Sequence, residues 1–169
     1  SNHSILITNN GKVYGHGANE YNQLGLDQMV IPIQSYVEPI NYLKSFRIIH
    51  AAINESGTLF LSDIGQIFVA GKIMDIDTDN HDDIMVVLPS FCKEKVVSIA
   101  CGKEHVLFLL ENGDVYGYGD NEIKDENETK ENEMWVRPID RKPVRLEFLK
   151  ENIKDIDCGL DHSLCLTDD

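Results

Sequence analysis

The stretch His105-Val-Leu-Phe-Leu-Leu-Glu-Asn-Gly113-Asp-Val-Tyr-Gly117-Tyr-Gly119 decides the fold, because the chain writes it more than once. His3-Ser-Ile-Leu-Ile-Thr-Asn-Asn-Gly11-Lys-Val-Tyr-Gly15-His-Gly17 follows the same pattern. Gly57-Thr-Leu-Phe-Leu-Ser-Asp-Ile-Gly65-Gln-Ile-Phe-Val-Ala-Gly71 is a worn copy, and a fourth opens at Gly159-Leu-Asp-His162-Ser-Leu-Cys-Leu-Thr167. Measured between the positions His3, Gly57, His105 and His162, the copies are 54, 48 and 57 residues apart. A period of roughly 50 residues is the mark of β units repeated in a stack or a ring. Domains of that kind ordinarily bind other proteins rather than do chemistry.

Within one copy the physics is simple. His3 to Thr8 alternates and is rich in β-formers, so it reads as a strand. Asn10-Gly11 supplies the positive φ angles of a tight hairpin turn, and Lys12 to Gly15 returns. Glu111-Asn-Gly113-Asp114 repeats that hairpin, whereas Asp63-Ile-Gly65-Gln66 keeps only the glycine. Gly15, Gly17, Gly117 and Gly119 fall in or at the end of the return strand, where glycine marks a bulge or a close backbone approach. Each copy then reaches Val-x-Pro: Val37-Glu-Pro39, Val87-Leu-Pro89 and Val136-Arg-Pro138. Proline is tolerated at a strand edge, so these read as outer strands leaving the sheet. Arg47 to Ile53, Val96 to Cys101 and Ile153 to Cys158 are short apolar strands leading into the next copy. Lys142 to Ile156 has some helical spacing, but comparison with the other copies makes it a connector and a strand. Four short strands per unit is the content of a propeller blade. The expected units are residues 1–47, 48–94, 95–152 with an acidic insertion at 120–133, and 153–169, which opens a further unit.

Composition narrows the function. The 169 residues, 42% hydrophobic, can bury a real core, and no apolar run is long enough to span a membrane. The formal net charge of −14 argues against nucleic-acid binding through this segment and favours basic protein partners. Cys92, Cys101, Cys158 and Cys165 have no metal or redox spacing. They read as thiols in a reducing compartment, hence an intracellular, cytoplasmic address. A disulfide between neighbouring units, Cys101 to Cys158, is the other reading.

Three features invite a sharper reading. His3, His105 and His162 recur once per unit, which spaces them apart and favours a structural role over a metal cluster; Gly57 stands in the equivalent place. Asp75-Ile-Asp77-Thr-Asp79-Asn80-His-Asp82-Asp83 resembles the start of a calcium loop, but Asn80 stands where glycine is required and Val86 where glutamate is. It reads as a solvated acidic loop between strands, with weak adventitious calcium binding as the alternative. Asp120 to Glu133 carries seven acids against two lysines and reads as a solvated insertion. Its functional alternative is an acidic contact for a basic partner, through Glu122, Asp125, Glu126, Glu128, Glu131 and Glu133. No nucleophile with a placed base and no phosphate-binding glycine loop is present, so no catalytic residue, metal ligand or cofactor is expected.

The chain resembles the regulator of chromosome condensation repeat family. The resemblance rests on His3-Ser4, Leu6, Thr8, Gly11, Val13-Tyr14, Gly17, Asn19 and Gln23-Leu24-Gly25, with Asn22 in place of a glycine. Gly102, His105, Gly113, Val115-Tyr116, Gly119 and Asn121 carry it in the third copy, and Gly159, His162-Ser163, Leu166 and Thr167 in the fourth. The resemblance implies an all-β fold: a partial seven-bladed β-propeller of four-stranded antiparallel blades. It further implies that the remaining blades come from the same longer chain. Three and a half blades alone would leave open sheet edges, and we expect the isolated segment to be insoluble or unfolded. Trp135 is read as blade packing. The residues between Gly and His sit on loops expected to enter the innermost strand and to line one face near the central channel. Ser1 and Asn2, Lys103 and Glu104, and Leu160 and Asp161 are therefore the candidate contact face. The functional expectation is a non-catalytic protein-interaction or scaffold propeller; the alternative is guanine-nucleotide exchange on a Ran-like small GTPase, and the resemblance adds nuclear and ciliary addresses as alternatives to the cytoplasmic one.

Overall fold

The computed structural model describes residues 2–26, 32–73, 86–87, 91–119, 143–149 and 151–167. Four antiparallel sheets account for the strands among the described residues. The first is β1 (His3–Ile7), β2 (Val13–Ala18) and β3 (Ile33–Pro39). The second is β4 (Ile48–Ile53), β5 (Gly57–Ser62), β6 (Ile67–Gly71) and β7 (Val86–Val87). The third is β8 (Val96–Cys101), β9 (His105–Leu110), β10 (Val115–Gly119) and β11 (Val144–Arg145). The fourth pairs β12 (Ile153–Cys158) with β13 (Ser163–Thr167). In every sheet the strands neighbour one another in chain order. That meander, repeated sheet after sheet, is a partial β-propeller of four-stranded blades.

The lead-in strands β4, β8 and β12 approach one another across the gaps between sheets, so they are the inner strands. Each has a register irregularity at the same place: Ile48/His50, Val96/Ser98 and Ile153/Asp155. The loops carrying Lys103-Glu104 and Leu160-Asp161 therefore leave an inner strand for the next one out (β8 to β9, β12 to β13), rather than entering the innermost strand. The expected direction is reversed because the short apolar strand that precedes each copy belongs to the same sheet as the copy it precedes.

Sheets pack face to face through alternate residues. Phe60 of β5 joins Val13, Leu24, Ile40, Leu43 and Phe68 in the seam between the first two sheets. Its neighbours Leu59 and Leu61 point the other way and meet Val96, Ile99 and Phe108 of the third. Burial on both faces explains why β5 reads as a continuous apolar run rather than an alternating one. A third cluster, with Leu107, Leu109, Leu146 and Ile156, joins the third and fourth sheets.

Two expectations change. The hairpins after β1, β5 and β9 have positive φ only at the glycine: Gly11 at 81°, Gly65 at 85° and Gly113 at 83°. Asn10 and Asn112 do not share it. The loop is closed by Thr8 N–H to Lys12 O (2.9 Å) and Gly11 N–H to Thr8 O (2.8 Å). This is the wider turn with a glycine bulge, not the two-residue turn that Asn-Gly suggests. Hence Ile64-Gly65 serves as well as Asn-Gly. The outer strand paired with β10 in the described residues is Val144–Arg145; Val136-Arg-Pro138 lies outside them. Pro39 and Val87 do sit in the outer strands, opposite Tyr14 and Phe68.

Candidate functional site

The inner hairpins are built alike. Gly102 N–H donates to His105 O and Gly159 N–H to His162 O, both at 2.8 Å; Asn54 N–H donates to Gly57 O at 3.1 Å. The carbonyl just before the His position lies against the glycine that ends the return strand. A Cβ on Gly17 would fall 2.5 Å from Asn2 O, and one on Gly119 would fall 2.5 Å from Glu104 O. Both glycines have positive φ, 108° and 156°. That close approach, which a side chain would block, sets the pitch of the loops.

At this end of the strands Asn2, Glu55, Lys103 and Leu160 surround a cavity of about 320 Å³ floored by Cys101 and Cys158. Neighbouring loops are tied directly: Lys103 N–H donates to Leu160 O at 2.8 Å. The four rim side chains are exposed, Leu160 at 66%. Glu104 forms a 3.6 Å pair with Lys103, solvated on both sides and therefore of little energetic weight. Asp161 lines a different cavity, between β9 and β13. Three of the five described loop candidates thus meet at one cavity, and Glu104 and Asp161 flank it.

Glu55 is a residue that motif reading missed. Asn54 replaces the glycine and Gly57 the histidine, so the motif is erased while the turn survives. Asn54 Oδ1 accepts from Ser56 N–H (3.0 Å) and Gly57 N–H (2.8 Å), an Asx turn that does what the glycine does elsewhere. Strand register, Gly57 opposite Gly71 as His105 is opposite Gly119, was the signal available.

Cys101, Cys158 and Cys165 form no disulfide among the described residues. Burial pushes the Cys101 thiol up to about 12 and the Cys158 thiol to about 11, so neither is a nucleophile near neutrality. Among the described residues no group of three or more His, Cys, Asp or Glu is placed to hold a metal ion.

His3 joins two sheets. His3 Nε2 lies 2.9 Å from Thr58 Oγ1 in the next sheet, and Thr58 Oγ1 donates to Gln23 O at 2.6 Å. The hydroxyl has one proton and spends it on Gln23, so Nε2 carries the hydrogen donated to Thr58. At the equivalent position His105 makes no such bridge: its Nε2 is buried without a hydrogen-bond partner. Burial holds both imidazoles below their ordinary value.

The acidic-loop candidates Glu122, Asp125, Glu126, Glu128, Glu131 and Glu133 lie outside the described residues, as do Ser1, Trp135 and the Asp75–Asp83 segment.

The Regulator of chromosome condensation (RCC1) repeat model matches residues 96–122, which span the third sheet's first three strands. Protein RCC2 homolog from Xenopus laevis is 26% identical over 191 residues, covering 97% of this chain and 36% of that protein. Among solved structures, human WBSCR16 superposes with a TM-score of 0.77 at 22% identity, over 99% of this chain and 44% of that one. Prp20p from Saccharomyces cerevisiae, described with its binding properties to Gsp1p and histones, superposes at 0.71 with 19% identity, over 99% and 42%. The chain thus spans less than half the length of each of these proteins.

Proposed function

We propose that this chain, which belongs to the regulator of chromosome condensation (RCC1) repeat family, supplies a protein-binding face to a larger propeller and does no chemistry itself. The reading rests on one observation: loops from different sheets bring Asn2, Glu55, Lys103 and Leu160 around one cavity, at one end of the strands. Loops on a rigid scaffold are the usual place for recognition. Among the described residues the face carries an apolar anchor, Leu160, with Glu55, Glu104 and Asp161 against Lys103. That balance, with the chain's charge of −14, suits a partner with basic residues around an apolar contact rather than nucleic acid.

A photo-crosslinking residue placed at position 160 of the intact protein tests this. Ile64, exposed at 71% in a hairpin at the opposite end of its sheet, is the control site. A discrete adduct from position 160 and none from position 64 is the expected outcome. Equal labelling at both, or none at 160, would remove the loop face as the contact.

Guanine-nucleotide exchange on a Ran-like small GTPase is the second reading, and the likeness to Prp20p, with its binding to Gsp1p, is what favours it. Accelerated release of labelled nucleotide from the GTPase would select it over simple binding.

A further inference from the structure

The hairpin tips of the first three sheets differ at the residue before the glycine. It is Asn10 in the first sheet, Ile64 in the second and Asn112 in the third. Asn-Gly occurs at those two places and nowhere else in the chain. It is a chemically reactive pair. With no Cβ on the glycine, its backbone nitrogen can reach the asparagine side-chain carbonyl, close a cyclic imide and expel ammonia. In both tips that nitrogen is engaged: Gly11 N–H donates to Thr8 O at 2.8 Å and Gly113 N–H to Leu110 O at 3.0 Å. Attack therefore needs a local opening of the turn, and it needs the asparagine side chain to swing over its own backbone. The two tips hold that side chain differently.

Asn10 is exposed, and its Oδ1 accepts from the Thr8 hydroxyl at 2.5 Å. That hydroxyl in turn accepts from Lys12 N–H at 3.0 Å. Oδ1 is the atom on which negative charge develops when the nitrogen attacks, and a donor aimed at it stabilises that charge. Asn112 is tethered at both ends of its amide. Its Nδ2–H donates to Asp114 Oδ2 at 3.0 Å, and its Oδ1 accepts from Asp114 N–H at 3.1 Å. Asp114 is itself anchored by Arg145 Nη2 at 2.7 Å. Charge works in the same direction. Attack requires the glycine nitrogen to give up its proton, which the carboxylate of Asp114 opposes after Gly113 and the ammonium of Lys12 favours after Gly11. Gly11 is also where the first tip is fastened to the second sheet. Its carbonyl accepts from Ile48 N–H at 3.2 Å, and a Cβ on Gly11 would fall 2.5 Å from Arg47 Cγ.

We propose that Asn10 is a self-modifying site: it loses its side-chain nitrogen without an enzyme, ahead of Asn112, and the isoaspartate product loosens the hold of the first hairpin on the second sheet. In the first step the Gly11 nitrogen bonds to Asn10 Cγ and the Cγ–Nδ2 bond breaks. Nδ2 leaves as ammonia, taking the proton that Gly11 gave up. Water, the only co-reactant, then opens the cyclic imide at either carbonyl. Opening at the Cγ carbonyl leaves aspartate at position 10. Opening at the main-chain carbonyl leaves isoaspartate, in which the chain runs through the former side chain and is longer by one methylene. That methylene enters the turn just before Gly11, whose carbonyl position sets the bond to Ile48. The site lies at the hairpin end of the strands and does not depend on the loop face.

The test is to incubate the intact protein in neutral buffer and follow its peptides over time by mass spectrometry, with electron-transfer fragmentation to separate isoaspartate from aspartate. Conversion at Asn10 is expected several-fold faster than at Asn112, with isoaspartate among the products. Asp114→Lys gives the third tip the Asn-Gly-Lys sequence of the first and should speed conversion at Asn112 several-fold. Asn10→Ile copies the second tip and should abolish conversion at position 10 with the melting transition retained. Aged protein carrying isoaspartate at position 10 should unfold at a lower urea concentration than fresh protein. Asn10→Ile aged alongside should not shift, and freshly made Asn10→Asp, which has the charge on an ordinary backbone, should stay close to the fresh protein. Equal rates at Asn10 and Asn112, or a faster Asn112, would overturn the proposal. So would conversion at Asn10 no faster than at Asn9, an exposed asparagine not followed by glycine. A urea midpoint that conversion leaves unchanged would overturn the loosening.

Discussion

Between the first and second sheets a polar chain crosses the seam, from His3 to Thr58 to the Gln23 carbonyl. Between the second and third sheets the same two positions are Gly57 and Val106, and apolar side chains meet there instead. The space an imidazole would take is filled by Ile73: a Cβ on Gly57 would fall 2.6 Å from Ile73 Cγ1. Both members of the pair are replaced together. An imidazole facing valine, or a hydroxyl facing glycine, would leave a buried polar atom unpaired, costing about 1–3 kcal/mol. One seam is thus specified by hydrogen bonds through hydrocarbon, and the other by side-chain shape.

The largest effect is expected where shape alone closes the seam. Phe108 is fully buried in the second seam, with its ring centroid 5.0 Å from that of Phe91. Phe108→Ala should lower stability by about 3–5 kcal/mol, read as a fall in the urea midpoint at constant slope. A loss below about 1 kcal/mol would mean that the seam collapses onto the deletion, and that its packing is less specific than the buried ring implies.

This contrast also separates what could be read from the sequence. The blades were legible because Gly11, Gly65 and Gly113 hold a backbone conformation that other residues avoid, at a constant distance from Gly17, Gly71 and Gly119. Asn22, at φ 59°, takes the left-handed place of a glycine, as its side chain permits. The loop candidates Asn2, Lys103 and Leu160 followed from Gly-x-x-His and do meet at one cavity. Glu55 was hidden because Asn54 rebuilds the turn with its side chain, a substitution of mechanism that no motif records. The direction of the inner loops was misjudged because a repeat in sequence need not begin where a sheet begins. The pairing of His3 with Thr58 was not legible either. Those residues are 55 apart, and only the face-to-face arrangement of two sheets brings them together.

A smaller, reciprocal effect follows from the polar chain. Thr58→Val keeps the shape but leaves the His3 Nε2–H without its acceptor and Gln23 O without its donor. The expected loss is about 1–3 kcal/mol in chemical denaturation. Val106→Thr places a hydroxyl in the second seam, opposite Gly57, where no imidazole can meet it, and should also destabilise. If Val106→Thr proved neutral while Thr58→Val did not, the second seam would have a hydrogen-bond acceptor for the new hydroxyl, and the contrast between seams would weaken.

The smallest effect is the pH dependence of the first seam. His3 is buried, and burial lowers its pKa below the ordinary 6.5. Its Nδ1 is buried without a hydrogen-bond partner, so a proton added there would carry charge into the seam unmet. In the unfolded chain the imidazole protonates near 6.5, while in the folded protein it resists until a lower pH. Between those values the unfolded state binds more protons, so stability rises with pH and falls as pH drops from about 7 towards 5. Below the folded value both states are protonated and this contribution levels off. His50 and His105, also lowered by burial, act in the same direction, although Asp155 and Asp157 oppose the shift at His50 and the His162 backbone and Asp161 oppose it at His105. His3→Gln removes the titration while keeping an N–H that can reach Thr58. The difference in urea midpoint between pH 7 and pH 5 should therefore shrink in that variant by less than the full amount, the other two histidines retaining the rest. An unchanged difference would show that His3 does not titrate differently in the folded and unfolded states, and that the polar chain of the first seam is as indifferent to pH as the hydrocarbon of the second.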